Sequence, residues 1–215
     1  MNEKDIEIYK QRYESRLAQY GYSPESLGWG KNGRQDIRFS VFSEFILKNE
    51  NASVLDVGCG FGDLFMYLKN KGWEGNYTGV DIVGKLLEVG RDIFREAKLI
   101  EGNLMNLELP KHDYVVESGI FNAKLEFDDN YAHIENTIAA MFNNANIAVI
   151  ADFMSTYVDF EKEGAWHSDP ARIIDIARKF SNRFILKYDY MPFEFTLVIF
   201  KDDIVNDKNI FVNYA

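Results

Sequence analysis

Three glycines within five residues, Gly58, Gly60 and Gly62, follow the run Val54-Leu55-Asp56-Val57. Glycine is used where the backbone must take a positive φ or come close to a ligand with no Cβ in the way. A turn of this kind leaving a strand cradles a ligand, because open α/β sheets bind beyond the C-terminal ends of their strands. The surroundings say what charge that ligand carries. Asp63 stands where a dinucleotide fingerprint has its third glycine, and its carboxylate would repel a pyrophosphate at the helix start. No Lys-Ser/Thr pair follows, so the turn is not a P-loop. Asp56 adds a second acidic group. Nineteen residues past Gly62, the run Tyr77-Thr78-Gly79-Val80 ends in Asp81. A carboxylate at the tip of a second strand is placed to accept hydrogen bonds from both hydroxyls of a ribose. The pattern calls for a ligand with a ribose and positive charge, and without a pyrophosphate.

The elements that must position these groups follow from hydrophobic periodicity. Ile6, Tyr9, Tyr13, Leu17 and Tyr20 share one face of a helix over residues 3–20, which Gly21-Tyr22-Ser23-Pro24 ends. Gly28, Trp29, Gly30 and Gly33 mark a loop, and a second helix is predicted over 36–48. Strands are predicted at 53–57, 76–80, 98–101, 114–117, 147–153, 183–188 and 193–200, with helices at 63–71, 84–95, 130–142 and 171–180. This alternation implies a parallel sheet with helices on both faces. The last two strands are too close in sequence for a crossover, so they form an antiparallel hairpin. The expected fold is α/β: a seven-stranded, mostly parallel Rossmann-like sheet with an antiparallel C-terminal hairpin and an N-terminal helical cap. Residues 1–50 form the cap and 51–215 the binding domain.

S-adenosylmethionine has the adenosine, sulfonium and α-ammonium that the turn calls for. The runs DVGCGFG, GVDI and EGN, in that order, also resemble motifs I to III of class I S-adenosylmethionine-dependent methyltransferases. The resemblance extends from about Ser53 to Phe200 and includes the closing hairpin. It implies that Gly58 and Gly60 lie against the methionine portion and ribose, and that Asp56 positions the α-ammonium. It places Asp81 on the ribose hydroxyls, Ile82 on the adenine face, Asn103 and Leu104 at the adenine edge, and Ser118 with Gly119 at the methionine tail. Leu27-Gly28-Trp29-Gly30, Gln35, Arg38 and the run SGIFN resemble a group of small bacterial methyltransferases. Arg38 could then pair with the cofactor's carboxylate, or be a surface arginine; Trp29 could close over the cofactor, or plug the space between cap and sheet. The sequence departs from that group at Asp152 and Tyr188, where Asn and His are expected.

The acceptor side is less defined. An alcohol acceptor needs a proton acceptor nearby. His133, opening the helix after the fourth strand, is the first candidate and Asp152 another, with Glu194 behind them. His167 falls in a loop that could form a lid, and His112 is expected at the surface, at the far end of the sheet. Asp128-Asp129-Asn130 is read as a turn and helix cap rather than a metal site, and no metal is expected. Members of the resembled class that methylate amide or base nitrogens often carry an Asn/Asp-Pro-Pro-aromatic run after the fourth strand; none stands here, so the resemblance implies another acceptor. With Lys+Arg 24 against Asp+Glu 34, the net charge is −10, which disfavours nucleic acid and anionic membrane. The single cysteine, Cys59, excludes an intrachain disulfide. The polar start of the chain is no secretory signal, and no apolar run approaches the ~18 residues a spanning helix needs. The expectation is a cytoplasmic enzyme, monomer or homodimer, methylating an oxygen or nitrogen of a small molecule such as a sugar or secondary-metabolite intermediate. Two other readings stay open: an NAD-dependent oxidoreductase, and a non-catalytic module that binds S-adenosylmethionine.

Overall fold

The computed structural model of the chain describes residues 1–29, 33–206 and 208–212. Gly30, grouped above with the loop glycines, lies outside them. In chain order, α1 (Glu3–Tyr20) and α2 (Arg34–Ile46) precede β1 (Val54–Val57), α3 (Asp63–Lys69), β2 (Tyr77–Asp81), α4 (Gly84–Ile93) and β3 (Lys98–Glu101). There follow β4 (His112–Glu117), α5 (Asn130–Asn144), β5 (Ala145–Met154), α6 (Pro170–Arg178), β6 (Phe184–Met191) and β7 (Glu194–Phe200). The strands form one sheet in the order β3-β2-β1-β4-β5-β7-β6. Pairing is parallel from β3 to β5, and β7 runs antiparallel to both β5 and β6. Only Pro192 and Phe193 separate β6 from β7, a connection that admits no parallel crossover.

Strand period sorts the core into two layers. Val54, Tyr114, Val116, Ala148, Ile150 and Val198 face one layer, with Phe42 and Ile46 of α2, Leu64 and Leu68 of α3, and Leu87 of α4. Leu55, Val115, Val149, Ala151, Phe153 and Leu197 face the other, with Ile134, Ile138 and Met141 of α5 and Ile173 of α6. By the same alternation Asp56, Asp152 and Glu194 fall on the α2 side of the sheet, and all three are buried.

Some boundaries differ from expectation for identifiable reasons. Gly33, at φ 66°, lets α2 begin at Arg34 rather than residue 36. β5 starts directly after α5 because Ala145 already pairs with His112. His112 is a correction. It is buried, not at the surface, and its Nε2 lies 3.0 Å from Thr78 Oγ1. As the first residue of β4 it is covered by the neighbouring strands. Among the described residues no helix is long and apolar enough to cross a membrane.

Candidate active site

A cleft of about 560 Å³ opens over the C-terminal ends of β1, β2 and β4. Its floor is the glycine turn. Gly58, Gly60 and Gly62 have φ of 74°, 58° and 91°, a region side chains rarely adopt. A Cβ on Gly58 would overlap the Ile120 side chain, and one on Gly60 would come within 2.9 Å of Leu27 Cδ2.

Asp81 and Asp56 stand on either side of the turn. The Gly60 N–H donates to Asp81 Oδ2 and the Val83 N–H to Oδ1, both at 2.8 Å. A carboxylate oxygen has two lone pairs, so each still has one to offer a ligand hydroxyl. Burial pushes Asp81 up to about 6, against the pull of those N–H groups. Burial also pushes Asp56 up to about 7, although the Tyr77 hydroxyl donates to its Oδ2 at 2.6 Å. Among the described residues neither carboxylate has a Lys or Arg ion-pair partner. Unmatched acidic groups over a Cβ-free turn fit a cationic adenosyl ligand. Asp63, at the start of α3, accepts from the Tyr22 hydroxyl at 2.7 Å and from Gln35 Nε2 at 3.3 Å. A carboxylate fixed at that helix N-terminus leaves no place for a pyrophosphate.

The structure brings together all ten of the expected cofactor residues. Trp29, Arg38, Asp56, Gly58, Gly60, Asp81, Ile82, Asn103, Leu104 and Ser118 all line the cleft. Two are otherwise employed than expected. Asn103 Oδ1 accepts from the Met105 N–H at 3.1 Å, capping the short 3-10 turn Leu104–Asn106, so only one lone pair of that carbonyl is left. Arg38 is neither a surface residue nor a free donor. It is buried, its Nε donates to Glu194 Oε2 at 2.6 Å, and its Nη1 lies 3.1 Å from Asp152 Oδ1. The Trp29 ring sits over this guanidinium at 4.3 Å and against Gly119, where a Cβ would come within 2.9 Å of it. Trp29 thus wedges cap to sheet while also lining the cleft.

On the acceptor side His133 reaches the cleft from the first turn of α5. Its Nδ1 is 3.4 Å from Thr137 Oγ1. Burial lowers its pKa to about 4, so the ring is neutral near pH 7. Asp152 does not line the cleft. It is fully buried, and its Oδ2 accepts from Ser118 Oγ, which does line it, at 2.6 Å. Asp152 is raised by burial and held down by Arg38. Glu194 lines the cleft but is held by Arg38. His167 does not line the cleft, although Lys162, Glu163, Gly164 and Ala165 of its loop do: it is buried and its Nδ1–H donates to the Ser155 carbonyl at 2.8 Å, pinning the loop to the end of β5. Cys59 packs against Gly79, and burial pushes its thiol well up, away from nucleophile chemistry.

The sequence reading missed the contribution of α1. Tyr9, Arg12, Tyr13 and Arg16 form one face of it over the cleft. The tyrosines had been assigned to an apolar face; two arginines one turn apart on its flank were the unused signal. The reading also missed Glu117, fully buried beside Asp152 and raised well above the carboxylate range by burial.

Comparisons with known proteins bear on the family and the fold. The profile described as "Methyltransferase domain" matches residues 54–144, from β1 to the end of α5. A protein of Mycobacterium tuberculosis (strain ATCC 25618 / H37Rv) named as a methyltransferase, Rv1506c, is 31% identical over 157 residues, spanning 69% of this chain and 93% of that protein. Magnesium protoporphyrin IX methyltransferase (ChlM) from Synechocystis PCC 6803, crystallised with bound SAM, superposes with a TM-score of 0.68 at 18% identity, covering 92% of this chain and 97% of that one. A TehB-like SAM-dependent methyltransferase from Corynebacterium glutamicum gives 0.54 at 20% identity, covering 93% and 98%.

Proposed function

We propose, on the premise that this chain belongs to the methyltransferase-domain family, that it moves a methyl group from S-adenosylmethionine to an oxygen or nitrogen of a small-molecule acceptor. The observation that carries this reading is the pairing of a Cβ-free turn with two buried carboxylates that have no cation of their own. When bound, the donor supplies a methyl group already activated on a sulfonium, leaving as S-adenosylhomocysteine. The chain's task is then to hold, align and exclude water.

Asp81 holds the ribose with its remaining lone pairs, while Ile82 and Leu104 flank the adenine. Asp56 and the turn carbonyls meet the α-ammonium. His133 takes the acceptor's proton: with Nδ1 turned to Thr137, Nε2 is the nitrogen left for the acceptor, and the neutral ring can accept at pH 7. Ser118, bonded to Asp152, faces the methionine tail of the donor. Residues 1–50 act as a cap and 51–215 as the catalytic domain. ChlM is named for a porphyrin substrate; the acceptor here is smaller and polar, such as a sugar or a secondary-metabolite intermediate, matching the mixed polar and aromatic wall of a 560 Å³ cleft that must also hold the donor.

Calorimetric titration with S-adenosylhomocysteine and with NAD tests the reading: binding of the first and not the second is expected, and binding of NAD alone overturns it. Incubation of the enzyme with methyl-labelled donor and a small-molecule extract should move label. His133→Ala should lower that transfer on the order of 100-fold, within the usual range for a general base, with S-adenosylhomocysteine affinity unchanged. Unchanged transfer would assign the proton to another group.

A further inference from the structure

With Arg38 committed to other partners, the donor's α-carboxylate needs a different cation. Arg38 sits among Asp152, Glu194 and Glu117, all buried. The Arg38 guanidinium is shared there among three acidic groups, with only the exposed Arg34, among the described residues, near Glu194 at 4.0 Å, and another carboxylate would add repulsion rather than relieve it.

Arg16 is in the opposite situation. It projects from α1 into the cleft and is half-buried. Its guanidinium lies across Gly28, where a Cβ would overlap Nη1. The residues on either side of Gly28 fix where that is: Leu27 packs on Gly60 of the turn after β1, and Trp29 packs on Gly119 after β4. The guanidinium therefore stands beside Gly28, between residues that pack on the turns after β1 and β4. Among the described residues no carboxylate lies within ion-pair distance of Arg16, whereas Lys10, Lys85, Lys179 and Lys187 each have one. Arg12, one turn earlier, also lines the cleft, but its guanidinium lies 5.4 Å from the Tyr9 ring centre. A half-buried guanidinium without a counter-ion, in a chain of net charge −10, points to an anion supplied by the ligand. A carboxylate fits its fork with two parallel hydrogen bonds.

We infer that Arg16 receives the α-carboxylate of S-adenosylmethionine, an inference that rests on the reading of the cleft given above. The full chain is titrated calorimetrically with two probes, S-adenosylhomocysteine and S-adenosyl-3-thiopropylamine, which keeps the amine and lacks the carboxylate. Arg16→Gln should weaken the first on the order of 10- to 100-fold, as expected for losing a charged hydrogen-bond partner, and leave the second unchanged. Arg16→Lys should recover part of the loss. Equal weakening of both probes would make Arg16 a structural residue and overturn the assignment. Undiminished S-adenosylhomocysteine binding would overturn it too, and return the carboxylate to Arg38. If the unmodified chain binds neither probe, the cleft reading itself falls and takes this inference with it.

Discussion

The two halves of the sheet's C-terminal edge bury acidic groups in opposite ways. On the β1–β2 side, Asp56 and Asp81 are held by a tyrosine hydroxyl and two backbone N–H groups, with no cation among the described residues. On the β5–β7 side, Asp152 and Glu194 are held by a buried arginine from the cap. The first half leaves charge uncompensated, a state that burial makes unfavourable and a cationic ligand relieves. The second half carries its own cation, so it fixes architecture and leaves less unpaired charge for a ligand. A buried carboxylate therefore marks a binding site here only where its counter-charge is missing.

Breaking the second half should have the largest effect. Arg38→Ala leaves Asp152 with the Ser118 hydroxyl in place of a cation and, among the described residues, Glu194 with only the exposed Arg34, 4.0 Å away, and should cost about 3–5 kcal/mol of stability, read from denaturant melts. Replacing Arg38, Asp152 and Glu194 together by apolar residues of similar volume should restore most of it, and a triple variant as unstable as the single would contradict the account. Next in size, Asp81→Ala should weaken S-adenosylhomocysteine binding by about 1–3 kcal/mol with little loss of stability. Unchanged affinity would mean that the ribose is held elsewhere.

The smallest effect is a slope with pH. Burial lifts Asp56 from 3.8 to about 7 and Asp81 from 3.8 to about 6. The folded chain then keeps protons that the unfolded chain has released, so this stability is fully present below the unfolded values and lost as pH rises through the folded ones. His133, lowered from 6.5 to about 4, acts in the reverse sense and only below its unfolded value. The ligand-free melting temperature should fall from about pH 4 to about pH 7, with His133 offsetting part of the fall below about 6.5, and level off above that. Asp56→Asn should flatten that fall, and saturating S-adenosylhomocysteine should reduce it by favouring the ionised carboxylates. A slope untouched by either would place the titration elsewhere.

The same contrast explains what could be read from the chain alone. The cofactor half is local: strand, turn, helix and the next strand's tip lie within Val54 to Asp81, and glycine spacing and strand period report directly on geometry. The acceptor half is assembled across long separations, Arg38 to Glu194 being 156 residues apart, and no local pattern announces such a pair. A partial signal existed. Asp152 and Glu194 occupy strand positions whose alternation turns them toward α2, and Arg38 shares a helix with Phe39, Val41 and Phe42, all buried. A charge on that face needed an opposite charge to meet it. His112 was misread because proximity to a strand end says nothing about which neighbours cover it. Asn103 was read for a ligand when its side chain first serves its own backbone turn, a competition common to asparagine.

Trp29 touches both halves, with one face on the Arg38 guanidinium and its edge on Gly119. Of the chain's other two indoles, Trp73 is buried with its N–H on the Ala52 carbonyl at 2.8 Å. Trp166 packs edge-on against Tyr131 at 5.2 Å. Neither lines the cleft. The molecule thus carries a built-in optical gauge: emission from one indole should track occupancy of the groove, with no dye attached and no acceptor in hand.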